Sequence, residues 1–171
     1  MKKILAFIAA AFLFTTPALA EDGKNYVGLS VGGAFNDFDG IKNQSDINLK
    51  AGHDFGVIRL EGDYDYLRSD VLRGNMVSGM AYVEPVTFAG ITPFVGAGVG
   101  YVWLSNDAVE GVSNKNDWAY ILATGASYQF TKNWELVGEY RYIHSEAVTG
   151  TETGERDFKT HAVTVGTRYS F

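Results

Sequence analysis

Between residues 57 and 67 every second side chain is charged. Arg59, Glu61, Asp63 and Asp65 alternate with Ile58, Leu60, Tyr64 and Tyr66. A strand sends successive side chains to opposite faces, so this stretch predicts a strand with one polar and one apolar face. The period recurs along the chain. Residues 26–35 set Val27, Leu29, Val31 and Phe35 against Tyr26, Gly28, Ser30 and Gly32, and residues 46–55 set Ile47, Leu49 and Ala51 against Asp46, Asn48, Lys50 and Asp54. Residues 92–104 oppose Val95, Ala97, Val99, Tyr101 and Trp103 to Gly96, Gly98 and Gly100. Residues 118–128 oppose Tyr120, Leu122, Ala126 and Tyr128 to Ala119, Ala123, Gly125 and Ser127, and residues 134–143 oppose Leu136, Tyr140 and Tyr142 to Glu135, Glu139 and Arg141. In the last segment, 158–171, Val163, Val165, Thr167, Tyr169 and Phe171 share one face, with Arg168 on the other. Residues 75–84 form an eighth segment, but both its faces are small or apolar, so its facing stays open.

The first twenty residues differ from the rest. Lys2 and Lys3 precede an apolar run over 4–14 and the ending Ala18-Leu19-Ala20, the pattern of a cleaved secretory signal peptide. The run is shorter than the roughly 20 residues a membrane-spanning helix needs. The expected division is therefore a signal peptide over 1–20 and one domain over 21–171. Removing two lysines leaves 12 basic and 20 acidic residues, a formal charge of 12 − 20 = −8, which argues against a nucleic-acid partner. Without cysteine the chain has no disulfide, thiolate metal site or Cys nucleophile. Its twenty glycines suit many short strands and turns.

The links are expected to alternate in length. Residues 54–56, 85–91 and 130–133 read as short turns, whereas 36–45, 68–74, 105–117 and 144–157 are longer and polar. Aromatics collect at the strand ends: Tyr66, Trp103, Trp118 and Tyr142 beside the longer links, and Phe55, Tyr128, Phe130, Trp134 and Phe171 at the other side. Two aromatic belts, with short turns at one rim and long links at the other, fit a barrel spanning a bilayer rather than a soluble one. The expected fold is all-β: an eight-stranded antiparallel up-and-down transmembrane β-barrel.

Particular stretches carry a resemblance. Thr92-Pro93-Phe94-Val95-Gly96-Ala97-Gly98-Val99-Gly100-Tyr101 is close to a strand common among the OmpA-like and opacity-protein-like outer-membrane surface antigens of Gram-negative bacteria. Tyr128-Gln129-Phe130-Thr131-Lys132-Asn133-Trp134 and Glu139-Tyr140-Arg141-Tyr142 resemble the family's sixth and seventh strands. The resemblance implies a bacterial outer-membrane location, lipopolysaccharide and other outer-membrane lipid as surroundings, and no cofactor. It also implies that the barrel-assembly machinery reads a closing strand with Tyr169 and Phe171 as its signal. With Phe171 last, the peptidoglycan-binding domain of full-length OmpA proteins is not expected. Function in such proteins resides in loops, so Phe38, Asp107, Val109 and Thr151 are candidates for recognising host surface molecules.

Lys50, Arg59, Glu61, Asp63, Asp65, Glu135, Glu139, Arg141 and Arg168 fall on inward faces. Eight strands leave an interior just wide enough for side chains to fill, so these charges must pair with one another. The expectation is a salt-bridged plug without an open pore, and a proton or small-ion path is the functional alternative. Asp63 and Asp65 could share a cation, but the nearby arginines favour ion pairs. Asn36-Asp37-Phe38-Asp39-Gly40 looks faintly like a calcium loop and lacks its closing Glu, so a turn is the simpler reading.

His144, Ser145 and Glu146 supply the residue types of a hydrolase triad, and some eight-stranded barrels that modify lipid A use a His and a Ser there. Neighbours on a strand point to opposite faces, which disfavours a His144–Ser145 hydrogen bond. An enzyme built on His144 and Ser145 is therefore the second reading, and a soluble lipocalin-like carrier, which would need an apolar cavity, the third. His53 and His161 lack metal-ligand spacing. The acids Asp107, Glu110, Glu146, Glu152 and Glu155 read as solvated loop surface. The leading expectation is a non-enzymatic surface protein presenting four loops for envelope integrity or adhesion.

Overall fold

The computed structural model describes residues 23–36, 44–68, 73–105, 116–145 and 158–171. Among them the chain forms eight strands: β1 (Lys24–Asn36), β2 (Gln44–Asp54), β3 (Ile58–Arg68), β4 (Arg73–Val83), β5 (Ile91–Ser105), β6 (Asn116–Gln129), β7 (Trp134–Ser145) and β8 (Phe158–Ser170). Each pairs antiparallel with its sequence neighbours, and β1 pairs with β8 to close the barrel. Closure removes every sheet edge, which a spanning sheet requires because lipid offers no partner to a bare N–H or C=O. The expected eight-stranded antiparallel barrel thus closes through all eight segments.

The polar faces point inward and the apolar faces outward. Arg59, Glu61, Asp63 and Asp65 are buried, whereas Leu29, Leu49, Val95, Leu122 and Val165 are more than half exposed. A water-soluble barrel would reverse this arrangement. An exposed apolar wall around a charged interior is stable only where the surroundings are hydrocarbon. On β8 the outward row from Val163 to Phe171 advances 171 − 163 = 8 residues. That covers about 19 Å of depth at a rise near 3.4 Å and a tilt near 45°. Aromatic clusters lie at both strand ends. Tyr101 sits 5.0 Å from Trp103 and 5.5 Å from Trp118 at one, and Trp134 sits 5.0 Å from Tyr169 at the other.

The structure decides the facing of β4, which the sequence left open. Met76, Ser78, Met80 and Tyr82 point inward and Val77 and Val83 outward. The cause lies on β5. Gly96 and Gly98 are the register partners of Tyr82 and Met80, and the large β4 side chains fill the space those glycines leave. A Cβ at Gly96 would lie 2.7 Å from Tyr82 Cε1. The lumen is consequently two-sided: Met76, Met80, Tyr82, Phe94, Ile121 and Val137 form an apolar cluster, while β2, β3, β7 and β8 supply most of the charge.

Link lengths need a correction. Between β3 and β4 only 69–72 remain, whereas 84–90 separate β4 from β5, so strict short–long alternation fails. The asymmetry survives in the totals: 7 + 4 + 10 + 12 = 33 residues at one rim and 3 + 7 + 4 = 14 at the other. The 84–90 link ends in a two-residue hairpin in which Phe88 and Ile91 exchange backbone hydrogen bonds at 2.9 Å. Its central residues, Ala89 (φ 51°) and Gly90 (φ 80°), both have positive φ, the type I′ geometry that favours Asn-Gly. Alanine is strained there. Ala89→Asn should raise stability by about 1 kcal/mol, read as a higher urea midpoint. An unchanged or lower midpoint would contradict the strain argument.

Candidate functional site

The lumen network begins at the short-turn rim. Arg168 on β8 donates from Nε to Glu135 Oε2 at 2.8 Å, and its Nη1 lies 3.6 Å from Glu84 Oε1. Glu84 follows β4, the strand opposite β8 in the ring, so this pair reaches across the barrel. The same Glu84 oxygen accepts from Arg59 Nε at 2.6 Å. Arg59 Nη1 donates to Glu61 Oε2 at 2.5 Å and to the Tyr26 hydroxyl at 3.1 Å, and that hydroxyl donates to Glu61 at 2.6 Å. The Arg59 guanidinium also rests over the Tyr82 ring, 3.9 Å from its centroid.

The network continues toward the long-link rim. Lys50 Nζ donates to Glu139 Oε1 at 2.9 Å and lies 3.6 Å from Glu61 Oε1. The Tyr82 hydroxyl donates to the other Glu139 oxygen at 3.0 Å. Arg141 then crosses from β7 to β3, four places around the ring. Its Nη2 donates to Asp63 Oδ2 at 2.7 Å and its Nη1 to Asp65 Oδ1 at 3.0 Å, while its Nε contacts Glu139. Asn48 Nδ2 donates to the same Asp65 oxygen at 2.7 Å. One side chain therefore bridges opposite walls, and the lumen at this level is filled.

All nine charges read from the sequence lie inward and enter ion pairs. Asp63 and Asp65 both face Arg141. Sequence reasoning missed Glu84, which lies just past β4, where the facing was open. It also missed Tyr26 and Tyr82 as partners; Tyr26 was legible as inward, but nothing in the sequence pointed it at Glu61. Counting Asp46, the described interior holds four cations and seven carboxylates, 4 − 7 = −3. The carboxylates are in excess.

The remaining candidates are dispersed. Phe38, Asp107, Val109 and Thr151 lie outside the described residues, as do Asp37, Asp39, Gly40 and Glu146. His144 stacks on Tyr142 on the outer wall at 6.5 Å, whereas Ser145 is buried on the lumen side, so one strand position separates them by a whole face. His53 Nδ1 is hydrogen-bonded to Asn25 Oδ1 at 2.9 Å, at the short-turn rim. His161 Nδ1 is hydrogen-bonded to the Tyr140 hydroxyl at 2.6 Å. The Phe171 N–H donates to Asn25 O at 2.9 Å, while the residue stays 59% exposed beside the outward Tyr169.

Comparisons with solved structures find this architecture repeatedly. Neisserial surface protein A matches with a TM-score of 0.68 at 18% identity, over 87% of this chain and 97% of its own. The N-terminal β-barrel domain of Pseudomonas aeruginosa OprF matches with 0.65 at 18%, over 88% and 100%. Outer membrane protein H (OprH) of P. aeruginosa, solved in DHPC micelles, matches with 0.65 at 23%, over 86% and 99%. At these identities the likeness is one of fold. Among curated proteins none matches in sequence. The family described as the outer membrane protein beta-barrel domain matches residues 6–171. By that match, and by an apolar wall closed around a charged lumen, the chain belongs to the outer membrane protein β-barrel family.

Proposed function

We propose that the chain is a non-enzymatic outer-membrane surface protein, a closed barrel that holds the links 37–43, 69–72, 106–115 and 146–157 outside the cell for envelope integrity or adhesion to host molecules. The observation that carries this reading is Arg141 bridging β7 to Asp63 and Asp65 on β3. A lumen crossed by buried ion pairs has no path for a solute, so work at the membrane falls to the rims. The long-link rim holds 33 of the 33 + 14 = 47 residues that link the strands. Phe38, Asp107, Val109 and Thr151 are the positions assigned to recognition there.

The same reading takes residues 1–20 as a cleaved export signal. It also takes Tyr169 and the exposed Phe171 as the signal read by the barrel-assembly machinery. A lipid-modifying enzyme built on His144 and Ser145 finds no support, because the two side chains occupy opposite faces of β7.

Purified barrel in a planar bilayer should give no conductance steps of porin size, and such steps would overturn the plug. A deletion strain should lose host-cell binding, serum survival or detergent resistance. The wild-type gene should restore the lost property, and a variant with the four links shortened should not. Full rescue by the shortened variant would move the function to the barrel wall.

A further inference from the structure

The charge of the lumen is unevenly placed. Toward the short-turn rim, Arg59 and Arg168 meet Glu84 and Glu135, 2 − 2 = 0. The other described interior charges are Lys50 and Arg141 against Asp46, Glu61, Asp63, Asp65 and Glu139, 2 − 5 = −3. The surplus of the described interior therefore lies away from the short-turn rim. Four of those five carboxylates have a cationic partner: Glu61 and Glu139 take Lys50, and Asp63 and Asp65 take Arg141. Asp46 is 3% exposed and enters none of the described ion pairs. A buried carboxylate without a partner is costly enough that something must compensate it.

Asp46 lies near the long-link rim, one inward position from Gln44, which begins β2. Its Oδ1 has no hydrogen-bond partner among the described residues. The next inward residue, Asn48, is 0% exposed and donates from Nδ2 to Asp65 at 2.7 Å. That bond fixes which way the amide is turned, since the reverse would set its oxygen against a carboxylate. Asn48 Oδ1 is thereby left as a second buried acceptor without a donor. Gln44 Nε2 is unpartnered too, so the Gln44 amide has no bond that holds its oxygen away. Inward side chains two residues apart on a strand stand about 7 Å apart at Cα, a gap that one ion with oxygen bonds of about 2.4 Å bridges. Among the described residues no three acidic or histidine side chains group as metal ligands. The donors are one free carboxylate, amide oxygen and water, which suit a hard cation that keeps part of its water shell and not a transition metal.

We propose that Asp46 and Asn48 bind a hard divalent cation of the calcium type in the mouth of the lumen, with Gln44 as a further oxygen donor and Asp65 as a neighbouring charge. The site stands rimward of the Arg141 bridge, so the cation enters from the long-link side and the lumen stays closed behind it. Two positive charges reduce the described surplus from −3 to −1, whereas a monovalent ion leaves −2. The site holds whichever rim faces outward.

The test is a titration of the full barrel, folded in zwitterionic micelles and washed with chelator, with calcium chloride, followed by backbone amide shifts. The expected result is saturable shifts at 44–48 and 64–66 with half-saturation at about 1 mM, the weak end of the range for calcium sites. Tetramethylammonium chloride at equal ionic strength, whose cation is too large for the lumen, should leave these residues unmoved. Asp46→Asn keeps the shape and removes the charge. It should weaken the apparent affinity about tenfold, because affinity follows ligand charge, and keep the wild-type gel-mobility shift on boiling. Calcium should raise the urea midpoint of the wild type and leave that of Asp46→Asn unchanged, whereas in chelator the variant should be the more resistant of the two. Four outcomes would overturn the site: no shifts at 44–48, equal shifts from tetramethylammonium, the same half-saturation with sodium chloride, or unchanged affinity in Asp46→Asn.

Discussion

Replacing Arg141 by Met should destabilise the barrel by about 3–5 kcal/mol, the usual cost of removing one partner from a buried charge cluster. Arg141 contacts Asp63, Asp65 and Glu139, and its side chain is 1% exposed. Without it three carboxylates share a lumen in which acids already outnumber bases by seven to four. The excess makes the network asymmetric, so Asp65→Asn should cost no more than about 1 kcal/mol, because it removes surplus negative charge and keeps an acceptor oxygen. Adding Asp63→Asn and Asp65→Asn to Arg141→Met should recover much of the loss. The check is urea unfolding in lipid vesicles, followed by the fluorescence of Trp103, Trp118 and Trp134. A loss below about 1 kcal/mol for Arg141→Met would mean that water, not the guanidinium, compensates these carboxylates.

The second large effect is expected at the seam between β1 and β8. Gly32 is the register partner of Thr164, and a Cβ there would lie 2.7 Å from Thr164 Cα and also overlap Val163 O. At Gly166, the partner of Ser30, a Cβ would lie 2.5 Å from Ser30 Cα and overlap Leu29 O. These obstacles are backbone, which cannot rotate aside. Gly32→Val or Gly166→Val should therefore force the closing strands apart, costing on the order of 3 kcal/mol or preventing closure. Gly79 and Gly138 make the contrast, because a Cβ at either meets nothing within 4 Å. Valine at those positions should be neutral or stabilising by up to about 1 kcal/mol, since glycine loses more chain entropy on ordering. Gel mobility with and without boiling, together with urea midpoints, reads both classes. Equal tolerance at Gly32 and Gly138 would refute the seam argument.

Much of the fold was legible because strand periodicity is a local property. Alternation assigned a face to seven of the eight segments, since a residue's side depends only on its parity within the strand. β4 resisted because neither the row Met76, Ser78, Met80 and Tyr82 nor the row Val77, Gly79, Ala81 and Val83 carries a charge. Its facing follows from the glycines of β5, which lie on a different strand. Link length was misread at 69–72 because strand ends there carry no Pro or Gly stop, apart from Gly74 inside β4 itself.

For the lumen, the sequence by itself determined which side chains of seven strands point inward and that bases and acids must meet there. Only the tertiary structure decided the partners. Arg141 and Glu139 are two residues apart on β7, yet Arg141 reaches Asp63 and Asp65 on the opposite wall and Glu139 takes Lys50 from β2. Glu84 joins Arg59 to Arg168 from just beyond the strand that alternation left undecided. Parity operates along one strand, whereas a pair across a barrel depends on ring order, stagger and the width left by side chains on the remaining strands. Those quantities exist only once the sheet has closed.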